Sequence, residues 1–491
     1  MAFRRFAALL NQTGRTKHVR FNDYSVVVHA PELVRFIRPD YRATDLLSLI
    51  RHLSPHLHIA VNERGMVPAA ERFFEESRDP THYDAVWVRD SLWAYLGLRA
   101  QGRVVDAKRI LLCLLQYIST PAQQGRLRRG KPLHIRFDPE SKTFSDVREG
   151  GKIQQWNHKQ NDAVGLLFDL LLRALSEGLL TQADIPRSGW DSLALLPAYF
   201  EKIRFADTED AGCWEEIERV NTSSVGLVTS ALERLQQLMT RKAENDRVIS
   251  RTLLEAAGRN GVGESLRSSE IERLVSRGYR RIRNQLERGG ESPLYSVCDP
   301  RHRGSDAALL NLIYPARLER LTFQEKMSVV ALVQPLVGMV GVRRYFRDSY
   351  QSGNYWFSGS ERVPVTRRKG LSRSAAEFVT RGTQYIDGTE AQWFFDSWYS
   401  KALGLLHRQS GEFFYREKQL QFLNRALAQI TAGESVLGAD GRPVPPFSLP
   451  ESYNSIVSDG AQYFVPSPIA PLTWAKACLA IALSELSKPI R

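Results

Sequence analysis

From about residue 42 onward, apolar residues recur every three to four positions, the period of helices with one buried face. Helices are predicted over residues 43–60, 90–101, 104–119, 160–178, 223–242, 268–287, 322–340, 390–409, 420–433 and 470–487. Several of these are apolar on more than one face, as the inner helices of a double-layered helical ring would be. Short strand-like pieces such as "SVVVHA" and "PLHIRFD" read as decorations on that ring. The helices suggest a pairwise organisation, without a residue-level internal repeat. Residues 1–40 read as an N-terminal extension and 41–491 as the main body. The charged helical stretch at about 241–290 reads as an insertion standing off the core.

The polar positions cluster in long loops before helix starts: "HYDAVWVRD", "GGKIQQWNHKQND", "DAGCWEE", "RYFRDSYQSGNYWFSG" and "LPESYN". Loops of this length are either functional or disordered, and their Trp and Tyr content argues against disorder. Composition refines the picture. With 43% hydrophobic and 25% charged residues the chain reads as a soluble globular protein with enough apolar surface for a large core. The formal charge of +13 raises a nucleic-acid reading. However, the basic residues are spread along the chain and interleaved with Glu, so nucleic acid is not the expected partner. An anionic partner or surface stays open. Cys113, Cys213, Cys298 and Cys478 follow no metal or redox spacing and suit a reducing compartment. The start, "MAFRRFAALLNQTGR", is too short in apolar residues for a secretory signal, with an organellar transit peptide as the alternative. No segment nears the roughly 20 apolar residues of a membrane helix. The expected compartment is the cytoplasm.

The loops also carry paired carboxylates. "AGCWEEIERVNTSS" places Glu215 and Glu216 directly after Trp214. An apolar neighbour disfavours a carboxyl's charge, which suits Glu215 to the role of an acid. Glu451 in "SLPESYNSIV" lies on a loop whose prolines hold the backbone rigid, as a positioned base requires. Two such carboxyls are what most glycosidases use: one donates a proton to the leaving oxygen and the other works across the sugar.

Five ordered segments, spanning about residues 80 to 480, resemble glycoside hydrolase family 15, the glucoamylases, and the related N-terminal regions of the phosphorylase kinase alpha and beta subunits. "YDAVWVRDS" is similar to the family's first loop, with Tyr83, Trp87, Arg89 and Asp90. "WNHKQND" is similar to the second, with Trp156, Gln160 and Asp162. "WEEIERVNTSS" resembles the general-acid loop, "RYFRDSYQSGNYW" keeps Arg344, Asp348 and Trp356, and "PESYN" followed by "APLTWA" resembles the general-base segment. The resemblance implies an all-α (α/α)6 barrel with the site at one end of the ring. It implies Glu215 as general acid, Glu451 as general base and Glu216 as a neighbouring substrate contact. Arg89 and Asp90 would bond vicinal sugar hydroxyls, while Trp87, Trp156 and Trp356 would stack on glucose rings. Tyr83 would sit over the developing oxocarbenium.

The activity implied is an inverting, exo-acting α-glucosidase that takes α-glucan or malto-oligosaccharide and needs no cofactor. His158 has no His, Cys or carboxylate beside it at ligand spacing, so no metal is expected. Asn157, His158 and Lys159 stand where glucoamylases usually carry Gly-Arg-Pro, which keeps a regulatory or glucan-binding role, like that of the kinase subunits, as the alternative. A third reading is an anion-binding protein acting through residues 241–290.

Overall fold

The apolar residues are densest in a few helices buried all round, and these determine the architecture. The computed structural model of the protein describes residues 12, 15–71, 83–149, 151–348, 350–351, 388–439, 441–458 and 461–488, and among these residues there are thirteen α-helices. In chain order they are α1 (Ala43–Leu53), α2 (Val88–Ala100), α3 (Val104–Ile118), α4 (Pro121–Arg129), α5 (Asn161–Ser176), α6 (Arg187–Lys202) and α7 (Thr222–Thr240). After them come α8 (Glu244–Arg259), α9 (Ser268–Glu287), α10 (Phe323–Val333), α11 (Asp396–Ser410), α12 (Phe413–Ala428) and α13 (Thr473–Leu486).

Helices α2, α5 and α7 pack side by side, and α7 meets the short 3-10 helix Ala307–Leu312. That helix touches α11, α11 packs on α13, and α13 returns to α2. The ring closes with six inner members, one of them a 3-10 helix of only two turns. In α5, residues 161–175 are all buried, as expected of a helix with neighbours on every side. Behind the ring lie α3, α9, α10 and α12, each against an inner member, with α6 and α8 packed together. The fold is an (α/α)6 barrel.

Local signals explain several boundaries. Thr322 and Glu325 cap each other's backbone N–H groups at the start of α10 (3.1 and 2.7 Å), and the helix tightens into a 3-10 turn at Pro335. The predicted helix at 390–409 begins only at Asp396, because Gln392–Trp393 pair as a strand with Ser452–Ser458. Helices α4 and α6 were not predicted, and α8 falls within the stretch read as charged and helical. Gly189 and Pro197 interrupt the apolar period of α6.

One domain expectation is not how the chain is arranged. Residues 244–287 do not stand off the core. Ile271, Leu274, Val275, Tyr279 and Ile282 of α9 are buried against α7, and α8 packs against α6. The described part of the extension holds a hairpin, Lys17–Arg20 with Ser25–Val28, followed by the 3-10 helix Pro31–Phe36. Its Val26 and Val28 are buried, and His29 donates a backbone hydrogen bond to Ala428 at the end of α12. Among the described residues no helix is long and apolar enough to cross a membrane.

Where α5 meets α7, Gly165 lies so close that a Cβ there would stand 2.7 Å from the backbone nitrogen of Val228. Ala is the better helix former by about 1 kcal/mol, but forcing two backbones apart costs about 1–3 kcal/mol. Gly165→Ala is therefore expected to lower the urea unfolding midpoint. An unchanged or higher midpoint would show that α5 and α7 separate without loss.

Candidate active site

The inner helices all begin at one end of the barrel, and the long loops before them surround a cavity there. It holds about 750 Å³ of space between atoms, part of it open to solvent. Of the residues singled out in the sequence, Tyr83, Trp87, Arg89, Asp90, Trp156, Trp214, Glu215, Arg344 and Glu451 line it. Tyr350, Trp393 and Trp474 line it as well and were not foreseen. Trp356 lies outside the described residues.

Glu215 is presented by a tight loop whose ends are zipped by reciprocal backbone hydrogen bonds between Asp210 and Arg219 (2.8 and 3.0 Å). Its own φ is +59°, in the left-handed region that non-glycine residues adopt only where their surroundings hold them there. Arg89, on the first turn of α2, donates to one carboxylate oxygen at 2.6 Å, and the Trp156 indole N–H donates to the other at 3.0 Å. The same guanidinium donates to Asp162 (3.0 Å), Gln160 (2.9 Å) and the Gly212 carbonyl (3.2 Å). Burial works against the charge of Arg89, but Asp162 and Glu215 outweigh it and hold the guanidinium above its usual range. Gln160 and Asp162 do not line the cavity; they act by fixing Arg89. Trp214 is not the partner of Glu215 that its adjacency suggested. Its ring stacks on Phe395 (5.3 Å) and its N–H donates to Asp306 (2.8 Å).

Glu451 is held from a different side. The Tyr83 hydroxyl donates to one of its oxygens and the Gln351 amide to the other. Burial, and then the Glu451 charge, push the Tyr83 phenol well above its ordinary pKa, so it stays a donor. Gln351 also has positive φ (+60°) and is itself fixed by Ser452 (2.7 Å). The backbone is fixed by a Glu451 N–H bond to Ile469 (2.9 Å) and by the sheet that starts at Ser452. Strand pairing, more than proline stiffness, makes this segment rigid.

Glu216 departs from its expected substrate contact. It is buried away from the cavity, where it accepts from Arg344 (3.1 Å), Arg303 (3.3 Å) and Tyr345. Burial would raise its pKa, but Arg344, Arg303 and Arg219 reverse the shift and hold the carboxylate below the usual range. Its structural effect is to aim Arg344, which also grips Asp348 at 2.5 and 2.7 Å and faces Trp393 and Tyr350 at 4.9 Å. Asp90 opens to the cavity. Burial pushes its carboxyl up to about 7; Arg89 opposes the shift and Glu215 adds to it.

The expectation that His158 lacks ligand-type neighbours is overturned. The fold brings His134 and Asp146 beside it, with His158 Nε2 at 3.1 Å and His134 Nδ1 at 3.9 Å from the same Asp146 oxygen. The two imidazoles are stacked at 4.1 Å with 8° between their planes. A nitrogen lone pair lies in its ring plane, so no single point suits both rings, and a shared metal ion does not fit this arrangement. The other Asp146 oxygen takes Arg136 (3.2 Å), whose guanidinium lies against Trp156 (4.5 Å) and Trp87 (5.3 Å). The cluster therefore braces the aromatic wall of the cavity.

A ring of six inner helices with two separately held carboxylates in one terminal cavity is matched by sequence: the family description of glycosyl hydrolases family 15 fits residues 49–436. The chain belongs to that family. As a family 15 member it is a glycoside hydrolase by kinship, with a carbohydrate as its class of substrate. It is 37% identical over 211 residues to the uncharacterized lipoprotein YgeQ of Escherichia coli (strain K12), covering 39% of this chain and 80% of that protein. Among solved structures, the glucoamylase from Saccharomycopsis fibuligera superposes with a TM-score of 0.53 at 16% identity, over 92% of this chain and 96% of that one. A glycosidase variant in complex with glucose gives 0.50 at 16%, over 91% and 99%. At these identities the solved structures speak for the fold.

The raised Asp90 carboxyl has a stability consequence. Its folded pKa, about 7, lies above the roughly 3.9 of an unfolded chain. Between those values the folded state holds the extra proton, so this group's contribution falls as pH rises from about 4 to about 7. Asp90→Asn is expected to raise the melting temperature at pH 8 by an amount worth about 1–2 kcal/mol, with little change at pH 4. Equal shifts at both pH values would show that ionisation of Asp90 is not the cause.

Proposed function

We propose that the protein is an inverting, exo-acting α-glucosidase that releases glucose from the non-reducing ends of α-glucans or malto-oligosaccharides. The observation that carries this reading is the pair Glu215 and Glu451, on one cavity but held by donor sets that share no residue. In this reading Glu215 protonates the glycosidic oxygen. Arg89 and Asp90 take sugar hydroxyls; a hydroxyl that accepts the Arg89 Nη2 hydrogen now on Glu215 frees that carboxyl to carry its proton, while Asp162, Gln160 and Gly212 keep the guanidinium in place. Glu451, with Tyr83 and Gln351 fixing its oxygens, removes a proton from a water on the opposite face of the sugar. The aromatic wall of Trp87 and Trp156 offers apolar faces to the ring carbons. The four cysteines are free thiols, which supports the cytoplasm as the compartment to test first.

A second reading, a glucan-binding regulator, is favoured by one feature. The altered second loop is tied to the acid loop through Asn157 (3.1 Å) and Lys159 (2.9 Å), both on Glu218. Those contacts occupy groups that could otherwise meet a longer glucan.

Assays with maltooligosaccharides, isomaltose and trehalose separate the two. Glu215→Gln should lower turnover by at least about a hundredfold and leave glucan binding largely intact, since an amide has no proton to give. Undiminished hydrolysis in that variant would move the acid to another residue. Stereochemistry tests the base: proton NMR in the first minutes should show β-glucose from an α-linked substrate, because attack by water inverts C1. Early α-glucose would refute the role of Glu451, and no glucose from any of the three would favour the regulator.

A further inference from the structure

At the other end of the barrel, where α2, α5, α11 and α13 terminate, lies a wider depression with about 2060 Å³ of empty space, much of it open to solvent. Its floor is apolar, formed by residues such as Leu170, Leu312, Tyr314 and Ile481. Its charges are not balanced. Arg173 and Lys401 stand in the floor, with Arg99, Arg317, Lys326, Arg408 and Lys488 around them, against only Glu177 and Glu319 in the lining.

Cations at helix C-termini answer the helix dipole, so part of this charge has a structural use. Four ends, at about half a negative charge each, amount to roughly two charges. Beneath the lining, Glu485 pairs with Lys401, Arg408 and Lys488, and Asp169 pairs with Arg173 and Arg234. With these two carboxylates and Arg234 counted in, side chains leave an excess of four positive charges. About two remain after the dipoles.

Hydrogen-bond satisfaction points the same way. The Nε of Arg173, in a side chain 5% exposed, has no acceptor, although buried donors are nearly always paired. Arg317 has no hydrogen-bond or ion-pair partner for its guanidinium among the described residues. Burial and the nearby Arg173 and Arg234 press its pKa down, a mark of crowded like charges. Four arginine forks over an apolar floor, with about two charges unanswered, match a doubly charged phosphoryl group better than a single carboxylate.

We infer that this cavity binds a phosphoryl group, presented by a small phosphorylated molecule or by an anionic lipid headgroup, at the end of the barrel opposite the carboxylate pair. The inference is independent of the glycosidase reading and uses none of its residues.

The test uses the full chain and two probes: inorganic pyrophosphate by titration calorimetry, and phosphatidylcholine vesicles with and without phosphatidylglycerol by co-sedimentation. Arg317→Gln with Lys326→Gln should weaken binding at least about fivefold. Arg251→Gln with Arg280→Gln, a surface pair of equal charge within 241–290, should leave it within about twofold. Pyrophosphate binding lost in the first variant supports a site for soluble phosphates. Binding only to phosphatidylglycerol vesicles, lost in the same variant, supports the headgroup. No binding of either probe overturns the inference, as does equal weakening by both variant pairs, which would reflect general charge attraction. Melting curves of both pairs, expected to match the parent, exclude misfolding as the cause of a loss.

Discussion

The buried guanidinium of Arg89 is the contact on which the catalytic end of the barrel depends. It joins the first turn of α2 to the start of α5 through Asp162 and Gln160, and it reaches the acid loop through Glu215 and Gly212. Leaving either charge unpaired at such depth costs several kcal/mol, so the groups succeed or fail together. Helix packing, loop placement and carboxylate position are thus one coupled problem. A ring of helices can close in many registers; the one formed here lets a single planar cation tie α2 to both the start of α5 and the acid loop.

The same end of the ring gathers the N-termini of the inner helices, whose partial positive charge suits carboxylates. Asp90, Asp162, Asp306 and Asp396 all sit within the first turns or caps there. Burial nevertheless pushes Asp306 and Asp396 up to about 6, despite Arg303 and Arg425 beside them. For these two carboxyls desolvation therefore exceeds what the paired arginines return. The opposite end gathers the C-termini and carries the cations, so the barrel has a polarity along its axis. The Asp146–Arg136 pair reaches outward to the tryptophans of the wall.

How much of this was legible in the sequence depended on distance along the chain. Trp87, Arg89 and Asp90 could be read through the resemblance of "YDAVWVRDS" to the family's first loop; physically, the strand-to-helix junction there turns the first turn of α2 toward the cavity. The inner helices could be read because burial on all sides leaves a continuous apolar run, as in α5. Adjacency misled where neighbours face opposite ways: Glu216 follows Glu215 but turns into the ion cluster around Arg344. Trp474 and Trp393 sat inside apolar runs and looked like core. Their place in the first turn of α13 and just before α11 was the signal that they border the cavity. His134, Asp146 and His158 meet through contacts between separate loops, among them Ile135 N–H to His158 Nδ1 (3.4 Å) and Arg136 to Asp146 (3.2 Å), which no local pattern announces. In 244–287 the charge hid the inward stripe of α9, which its three-to-four-residue spacing did record.

The left-handed backbone at Glu215 and Gln351 bears on the history of such a chain. A side chain at positive φ costs on the order of 1 kcal/mol or more that glycine would not incur. A lineage that no longer needed a carboxyl on that loop, or an amide beside Glu451, would gain stability simply by drifting to glycine or asparagine at either position. Selection for a stable fold alone then favours such a change there. Descendants that abandon the chemistry should therefore shed these two side chains early, and their loss in a relative would mark the point at which the barrel became a scaffold.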